Sequence, residues 1–498
     1  MISKSLKGIT AEIPHGVGCI QNMDATVNKD VPILIGELTI LRRKEIMGLL
    51  LMIFLMGGFM LDNNFENKDG ILYIGGVSVE KLKDKYQTPL YIFDQKSLKN
   101  RTKAFVDNFK SLKFDTEVVY ATKAFSNLYV LSLLNNYNIL FDCVSKEEIF
   151  VCLKAGVDSS RIHFHGNNKS KDELEYAIDK NIGLIIIDSV DEYYLLDSIL
   201  NEKNKKIDVL IRINPDVKTD THKFIQTSNA DSKFGLNIRD KNTKIFISKS
   251  LKNKNMHILG FHAHIGSQVK NLDFFKEEAK IMLKYMKEIE EDNSYKFSHI
   301  NLGGGFGTKE RIEDRDLDIE VFLKDYIKTI ENLLVYYKIN IKNVGIEPGR
   351  SLISKSGSML YTIGSTKKTL EGFPLIFVDG GMSDNIRPSL YDAKYSSILA
   401  NKLNNEANII YRVGGKLCES GDILIDEVKL PKVERDDLLL IPYSGAYTYS
   451  MASNYNKQRK AAVVFVEDGC DYLAVRRESL DDLISRDEIY KGEINERI

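Results

Sequence analysis

Cysteine is scarce in this chain of 498 residues. The five that occur, Cys19, Cys143, Cys152, Cys418 and Cys470, are odd in number and scattered. That pattern excludes a disulfide framework, and no two of them have the spacing of a zinc knuckle. A reducing, cytoplasmic setting is the simplest expectation. An excess of one charge is also missing. The net charge is −1, so nothing global draws the chain to nucleic acid or to an anionic membrane. Low-complexity tracts and short-period repeats are absent, which sets aside repeat architectures.

No apolar run has the length of a membrane span. The run MGLLLMIFLMGGFM at 47–60 has 14 residues and follows Arg42, Arg43 and Lys44. It is too short to span and has the length of a signal core, yet 46 residues precede it and no small-residue cleavage site follows. Residues 1–59 are therefore expected to be an N-terminal extension, disordered or the product of a start assigned too far upstream of Met60. No membrane association is expected.

What is present is a globular composition, 43% hydrophobic and 28% charged. Beyond Tyr91-Ile92-Phe93, apolar β-type runs recur at 118–120, 139–143, 162–165, 184–188, 209–214, 258–265, 300–302 and 344–346. Helical patterns fill the spacers, as at 126–136, 146–155, 171–179, 192–200, 274–290 and 319–336. Eight such alternations predict an α/β fold with a (β/α)8 barrel over 91–350. After Arg350 the rhythm turns to short β-runs, which predicts a second, mostly β domain over 351–498 with a helical excursion at 384–406. Residues 60–90 are expected to form the first segment of that domain.

A barrel of this kind carries its site at the C-terminal ends of its strands. Unusual residues sit there. Lys123 follows the first run, Asp142 ends the second, His165 the third, and Asp188 and Asn214 the next two. His262 and His264 end the sixth, the glycine run 303–307 the seventh, and Glu347-Pro348-Gly349-Arg350 the eighth. Singly, each has an ordinary structural explanation. A lysine after a strand is usually solvated, Glu347 would suit an ion pair with Arg350, and Cys418 would be an inert thiol in a turn. His262 and His264 share a strand face, so with Asp142 they would also suit a metal, although that leaves Lys123 and the glycines without a task. Taken together, an amine, a phosphate-type glycine loop, a carboxylate and a histidine meet the needs of pyridoxal phosphate: an amine for its aldehyde, amides for its phosphate and a carboxylate for its ring nitrogen. No metal is required.

The ordered motifs extend this reading. They are Tyr120-Ala-Thr-Lys-Ala124, Phe141-Asp-Cys-Val-Ser-Lys-Glu-Glu148, Ser232-Lys-Phe-Gly235, His262-Ala-His-Ile-Gly-Ser-Gln268, the glycine run, Glu347-Pro-Gly-Arg350, Asp379-Gly-Gly-Met382, Arg387-Pro-Ser-Leu-Tyr391, Cys418-Glu-Ser-Gly-Asp422 and Gly445-Ala-Tyr447. From about residue 70 to about 480 the chain resembles the diaminopimelate decarboxylases, of the alanine-racemase-like group of pyridoxal-phosphate enzymes. The resemblance implies decarboxylation of meso-diaminopimelate to L-lysine, the last step of lysine biosynthesis. It implies that Lys123 bonds the cofactor's aldehyde, His264 stacks on the ring and Glu347 meets the ring nitrogen, with Asp142 also at the cofactor. Gly303, Gly304, Gly305, Gly307, Ser267, Pro348, Gly349 and Arg350 would serve the phosphate. Arg350, Arg387 and Tyr391 would bind the substrate's carboxylates and distal end, Glu419 its distal ammonium, and Tyr447 both cofactor and substrate. Cys418 would protonate the α-carbon from the partner subunit, which implies a homodimer with sites at the interface. The chain departs from the family in having Lys416, two residues before Cys418, where proline is common.

Relatives on the same fold offer other substrates: ornithine, arginine or carboxynorspermidine. A substrate without a distal carboxylate would not need the Arg387–Tyr391 motif, and ornithine enzymes usually carry aspartate where this chain has Glu419. A non-catalytic relative would be expected to have lost Lys123 or Cys418, and both are present.

Overall fold

In a computed structural model of the chain, the described residues are 65–217 and 232–490. The N-terminal extension and its apolar segment lie outside them. Eight parallel strands close into a barrel: β1 (Asp115–Ala121), β2 (Leu140–Cys143), β3 (Ile162–Phe164), β4 (Leu184–Ile187), β5 (Ile207–Asn214), β6 (Met256–His262), β7 (His299–Asn301) and β8 (Asn343–Ile346). Closure comes from β4 pairing with β5, Ile185 opposite Val209, and β8 pairing with β1, Val344 opposite Thr116. The strands read as apolar runs because each carries helices on its outer side.

Polar caps start the helices just past the strand ends. Asn127, Ser145, Ser170 and Ser189 each accept from a backbone N–H of the first helical turn, and Ser170 completes a capping box with Glu173. Each such cap stabilises its helix by about 1 kcal/mol. Helical periodicity then buries one stripe: Leu174, Ala177 and Ile178 in Lys171–Asp179, and Phe322, Leu323, Tyr326, Ile327 and Ile330 in Ile319–Tyr337. Helices Gln95–Asn108 and Lys241–Ser250 also form.

The barrel interior is divided. Leu184, Ile186 and Leu210 make a small apolar cluster apart from the main core. Polar side chains gather toward the C-terminal end, and contacts between strands that are not neighbours locate them. His165 follows β3, His262 ends β6, and both reach Glu347 at the end of β8. Neither β3 nor β6 adjoins β8, so these contacts cross the lumen.

The second sheet runs in the order Ile423–Leu430, Ile409–Gly414, Leu375–Val378, Gly357–Lys367, Leu90–Asp94, Ala462–Glu467, Cys470–Val475, with Leu438–Ile441 branching from Gly357–Lys367. Leu90–Asp94, assigned to the barrel by the sequence boundary at 90/91, is instead a central strand here. It pairs with Gly357–Lys367 on one side and Ala462–Glu467 on the other, and all five of its residues are buried. Residues 65–78 form a three-stranded meander whose Leu72, Ile74 and Val77 pack on Leu360, Leu438 and Val464 of this sheet. The expected helical excursion at 384–406 shrinks to Arg387–Tyr391, because Asp392 takes a left-handed φ of 52° and ends the helix after five residues.

Just before that helix, Asp384 is 5% exposed and accepts from the Gly381 N–H at 3.0 Å, and burial pushes its pKa up to about 7. An unfolded aspartate titrates near about 4. The folded value is the higher one, so this contribution is full below about pH 4 and is lost as pH rises through about 7. Asp384→Asn keeps the acceptor oxygen without the charge. The variant is expected to be more stable than the native chain at pH 8, by on the order of 2–4 kcal/mol, with no advantage at pH 4. Thermal denaturation at the two pH values checks this.

Candidate active site

The C-terminal mouth of the barrel opens into a cleft bordered by Lys123, Asp142, His264, Ser267, Gly305, Glu347, Gly349, Arg350 and Tyr447, with Ala121, Gly266, Phe306 and Ser351 between them. Nine residues singled out in the sequence thus converge, coming from the ends of β1, β2, β6, β7 and β8 and from one loop of the second domain.

Glu347 sits at its floor, 7% exposed. Its Oε2 meets His262 Nε2 at 3.0 Å, and its Oε1 meets His165 Nε2 at 3.1 Å and accepts from Asn301 Nδ2 at 2.9 Å. Burial raises the carboxyl's pKa, but the two imidazoles together outweigh it and hold the group well below the usual carboxylate range. Burial pushes the His262 imidazole down, against the upward pull of the Glu347 carboxylate at its Nε2. Glu347 therefore stays ionised, and its partners are His262, His165 and Asn301 rather than Arg350. His262 is thereby separated in role from His264, whose Nδ1 accepts from the Gly304 N–H at 3.1 Å. His262 and His264 are thus not a matched ligand pair; the donors that do converge, within 4.8 Å of one another, are those of His165, His262 and Glu347.

Lys123 lies in a short turn after β1, and 45% of its side chain is exposed to the cleft. Its Nζ is 3.9 Å from Asp142 Oδ2. Partial loss of water lowers the amine's pKa, but Asp142, Tyr447 and Glu347 together raise it above the ordinary lysine value. Asp142 Oδ1 is buried with no hydrogen-bond partner among the described residues, as is His262 Nδ1. Tyr447 adopts a left-handed φ of 57°, held by its N–H to Ala124 O at 2.8 Å and by the Arg350 guanidinium 4.7 Å from its ring centroid.

The glycine run divides its labour. Gly303, Gly304 and Gly307 spend their amides on Asn301 Oδ1, His264 Nδ1 and Val269 O. A Cβ on Gly304 would fall 1.9 Å from Glu347 O, so the absence of a side chain lets the β7 loop lie against the end of β8. Phe306 fastens the loop from outside, stacked on Phe275 at 4.9 Å. Gly305, Gly349, Arg350 and Ser351 border the cleft directly, whereas Gly303, Gly304, Gly307 and Pro348 do not.

Beside the cleft lies a second charged group. Arg350 and Arg387 share Glu310 Oε1, at 3.5 and 3.0 Å; Arg350 Nε donates to Ser267 Oγ at 3.3 Å and Arg387 Nε to the Tyr395 hydroxyl at 2.9 Å. Tyr391 places its ring centroid 5.7 Å from the Arg387 guanidinium. Cys418 and Glu419 are exposed and do not border the cleft. Their turn is built on Asp422, whose carboxylate accepts from the N–H groups of Leu417 and Met382 at 2.8 and 2.6 Å. Lys416 fits there through its backbone N–H, 2.9 Å from Gly380 O.

Comparison with known proteins gives this geometry a family. Residues 95–354 match the family model described as the pyridoxal binding domain of pyridoxal-dependent decarboxylases. A diaminopimelate decarboxylase of Bacillus subtilis is 40% identical over 433 residues, 87% of this chain and 99% of that protein. One of Bacillus methanolicus is 41% identical, over 83% of this chain and 96% of its own. The chain belongs to the diaminopimelate decarboxylase family. A crystal structure of the Methanocaldococcus jannaschii diaminopimelate decarboxylase in complex with L-lysine superimposes with a TM-score of 0.80 at 31% identity, covering 86% of this chain and 98% of that one. Barrel and second domain are thus those of diaminopimelate decarboxylases.

The family's cofactor is pyridoxal phosphate, and the residues present fit it. The cleft offers an amine, an ionised carboxylate hydrogen-bonded to His262 and Asn301 with the His165 imidazole beside it, and an orphaned carboxylate oxygen on Asp142. His165, Asn301 and Arg212 belong to none of the roles that the family resemblance implies. The strand-end positions of His165 and Arg212, on the inward face of β3 and β5, were the available signal. Arg212 is buried 3.5 Å from Asp188 and 4.4 Å above the Phe234 ring, adding positive charge near Lys123 and Glu347.

Proposed function

We propose that the chain decarboxylates meso-diaminopimelate, giving L-lysine and carbon dioxide, with pyridoxal phosphate bound at Lys123. The observation that carries this reading is the convergence of Lys123, ionised Glu347 and the Arg350–Arg387 pair at one end of the barrel. In a chain of this family, the named substrate supplies the two carboxylate ends that two arginines suit.

When bound, pyridoxal phosphate supplies an electron sink for the bond pair freed as carbon dioxide leaves. The chain's own residues do the rest. Lys123 offers the amine that holds the aldehyde, beside Asp142. Glu347, kept ionised by His165, His262 and Asn301, holds a proton on the ring nitrogen. His264 and Tyr447 would bound the ring, and the amides of Gly305, Gly349 and Arg350 with the Ser267 hydroxyl would receive the phosphate. The Arg350 and Arg387 guanidiniums, with Tyr391, take the distal carboxylate. Glu419 takes the distal ammonium, and Cys418 hands a proton to the α-carbon. Because the Cys418 turn is exposed and off the cleft, we assign it to the neighbouring site of a homodimer, which also excludes water. Among the described residues no helix is long and apolar enough to cross a membrane. The free state of Cys143, Cys152, Cys418 and Cys470 supports a cytoplasmic setting.

The test is carbon dioxide release from diaminopimelate, ornithine and lysine assayed in parallel. Release from diaminopimelate alone is expected; release from ornithine in its place rejects the assignment.

A further inference from the structure

We infer that Glu310 is a built-in competitor for the substrate's carboxylate, and so sets the affinity and selectivity of the two-arginine subsite. This rests on the reading of Arg350 and Arg387 given above. Both guanidiniums are buried, at 7% and 5% exposure, and each lies close enough to affect the other's charge. A single oxygen, Glu310 Oε1, lies between them, 3.0 Å from Arg387 Nη2 and 3.5 Å from Arg350 Nη1. A carboxylate bridging two guanidiniums is the arrangement a ligand carboxylate would take in the same place.

The arginines are not free to turn toward a different partner. Arg387 is tied through Nε to Tyr395, and Arg350 through Nε to Ser267 with its face on Tyr447. Glu310 is the member that can withdraw. Its side chain is 23% exposed, against 8% and 6% for the two arginines, and it stands on the irregular segment after the glycine run. Its backbone is pinned separately: the Glu310 and Arg311 N–H groups both donate to Asp314 Oδ2, at 3.1 and 3.0 Å. The side chain can therefore swing into water without the turn unfolding. An arriving carboxylate replaces one negative charge by another, so the buried pair never goes uncompensated. A ligand lacking that carboxylate leaves Glu310 in place and gains nothing from the arginines. Glu310 thereby lowers affinity for ligands that bring a carboxylate to the arginines and leaves those without one largely unaffected, so it sets how strongly the subsite favours the carboxylate.

The experiment compares holoenzyme with native Glu310, Glu310→Gln and Glu310→Ser. The glutamine variant is expected to lower KM for diaminopimelate about tenfold while kcat moves by much less. The serine variant is expected to move in the same direction, and thermal denaturation verifies that both fold. Calorimetric titration with pimelate, a dicarboxylate without amines, is expected to show about tenfold tighter binding to both variants. Unchanged or weaker pimelate binding in folded variants overturns the inference. Failure of the native enzyme to release carbon dioxide from diaminopimelate instead sinks the functional reading, and the pimelate titration still decides the role of Glu310.

Discussion

Lys123→Ala is expected to remove the cofactor's visible absorbance from the purified protein and to reduce turnover to the background of the assay. Among the described residues Lys123 is the only lysine bordering the cleft. The other lysine near the barrel mouth, Lys169, is committed elsewhere: its Nζ donates to Glu192 Oε1 at 2.7 Å and to Gly166 O and Ile186 O at 2.9 and 2.8 Å, with 1% of its side chain exposed. Among the described residues no second amine is placed to take over. The substitution shortens a side chain that is 45% exposed, so no buried cavity forms and the fold should persist. It removes the 3.9 Å contact of Lys123 Nζ with Asp142 Oδ2. Circular dichroism with absorption spectroscopy and a carbon dioxide assay checks the outcome; a folded Lys123→Ala protein that keeps both colour and activity contradicts the central assignment. Reduction of the native holoenzyme with borohydride, followed by digestion, should leave the pyridoxyl group on the peptide containing Lys123.

How much of this was legible in the sequence depended on the kind of signal. All eight barrel strands stood out because a strand with the lumen on one face and helices on the other is apolar along its length. The end at which the site lies was also readable, since Lys123, Asp142 and Glu347 follow apolar runs directly. Pairing inside the lumen was not. Glu347 is separated in sequence by 182 residues from His165 and by 85 from His262, and only closure of the barrel brings them together. Sequence proximity pointed instead to Arg350, three residues away, which turns out to share Glu310 with Arg387. Glu310 itself resembled any loop charge. Leu90–Asp94 was misplaced for a related reason: a five-residue apolar run before a helix reads the same whether it enters a barrel or the middle of a mixed sheet. The helix Lys241–Ser250 has Thr, Ile and Ser content without strong helical preference, and packing of Phe246 and Ile247 decides the matter.

Cys418→Ala separates cofactor binding from proton delivery. Cys418 does not border the Lys123 cleft of its own chain, and its turn is held by Asp422 and by Asn456, which accepts from the Cys418 N–H at 2.7 Å, not by the thiol. The variant should therefore bind pyridoxal phosphate as the native protein does. If the thiol is the acid that reaches the α-carbon, turnover should fall by roughly 10²–10⁴. The same geometry makes a stronger demand on assembly. In a hybrid of one Lys123→Ala chain and one Cys418→Ala chain, one of the two shared sites has its amine from one subunit and its thiol from the other. Random pairing of equal amounts should then recover about a quarter of native activity from two nearly inactive proteins. A site completed within a single chain cannot be rescued in this way, because every lysine in the mixture would then work beside a missing thiol or every thiol beside a missing lysine. Mixing after mild dissociation, with subunit exchange verified by mass spectrometry, decides between the two. Recovery places Cys418 across an interface, whereas exchanged but inactive hybrids refute the shared site.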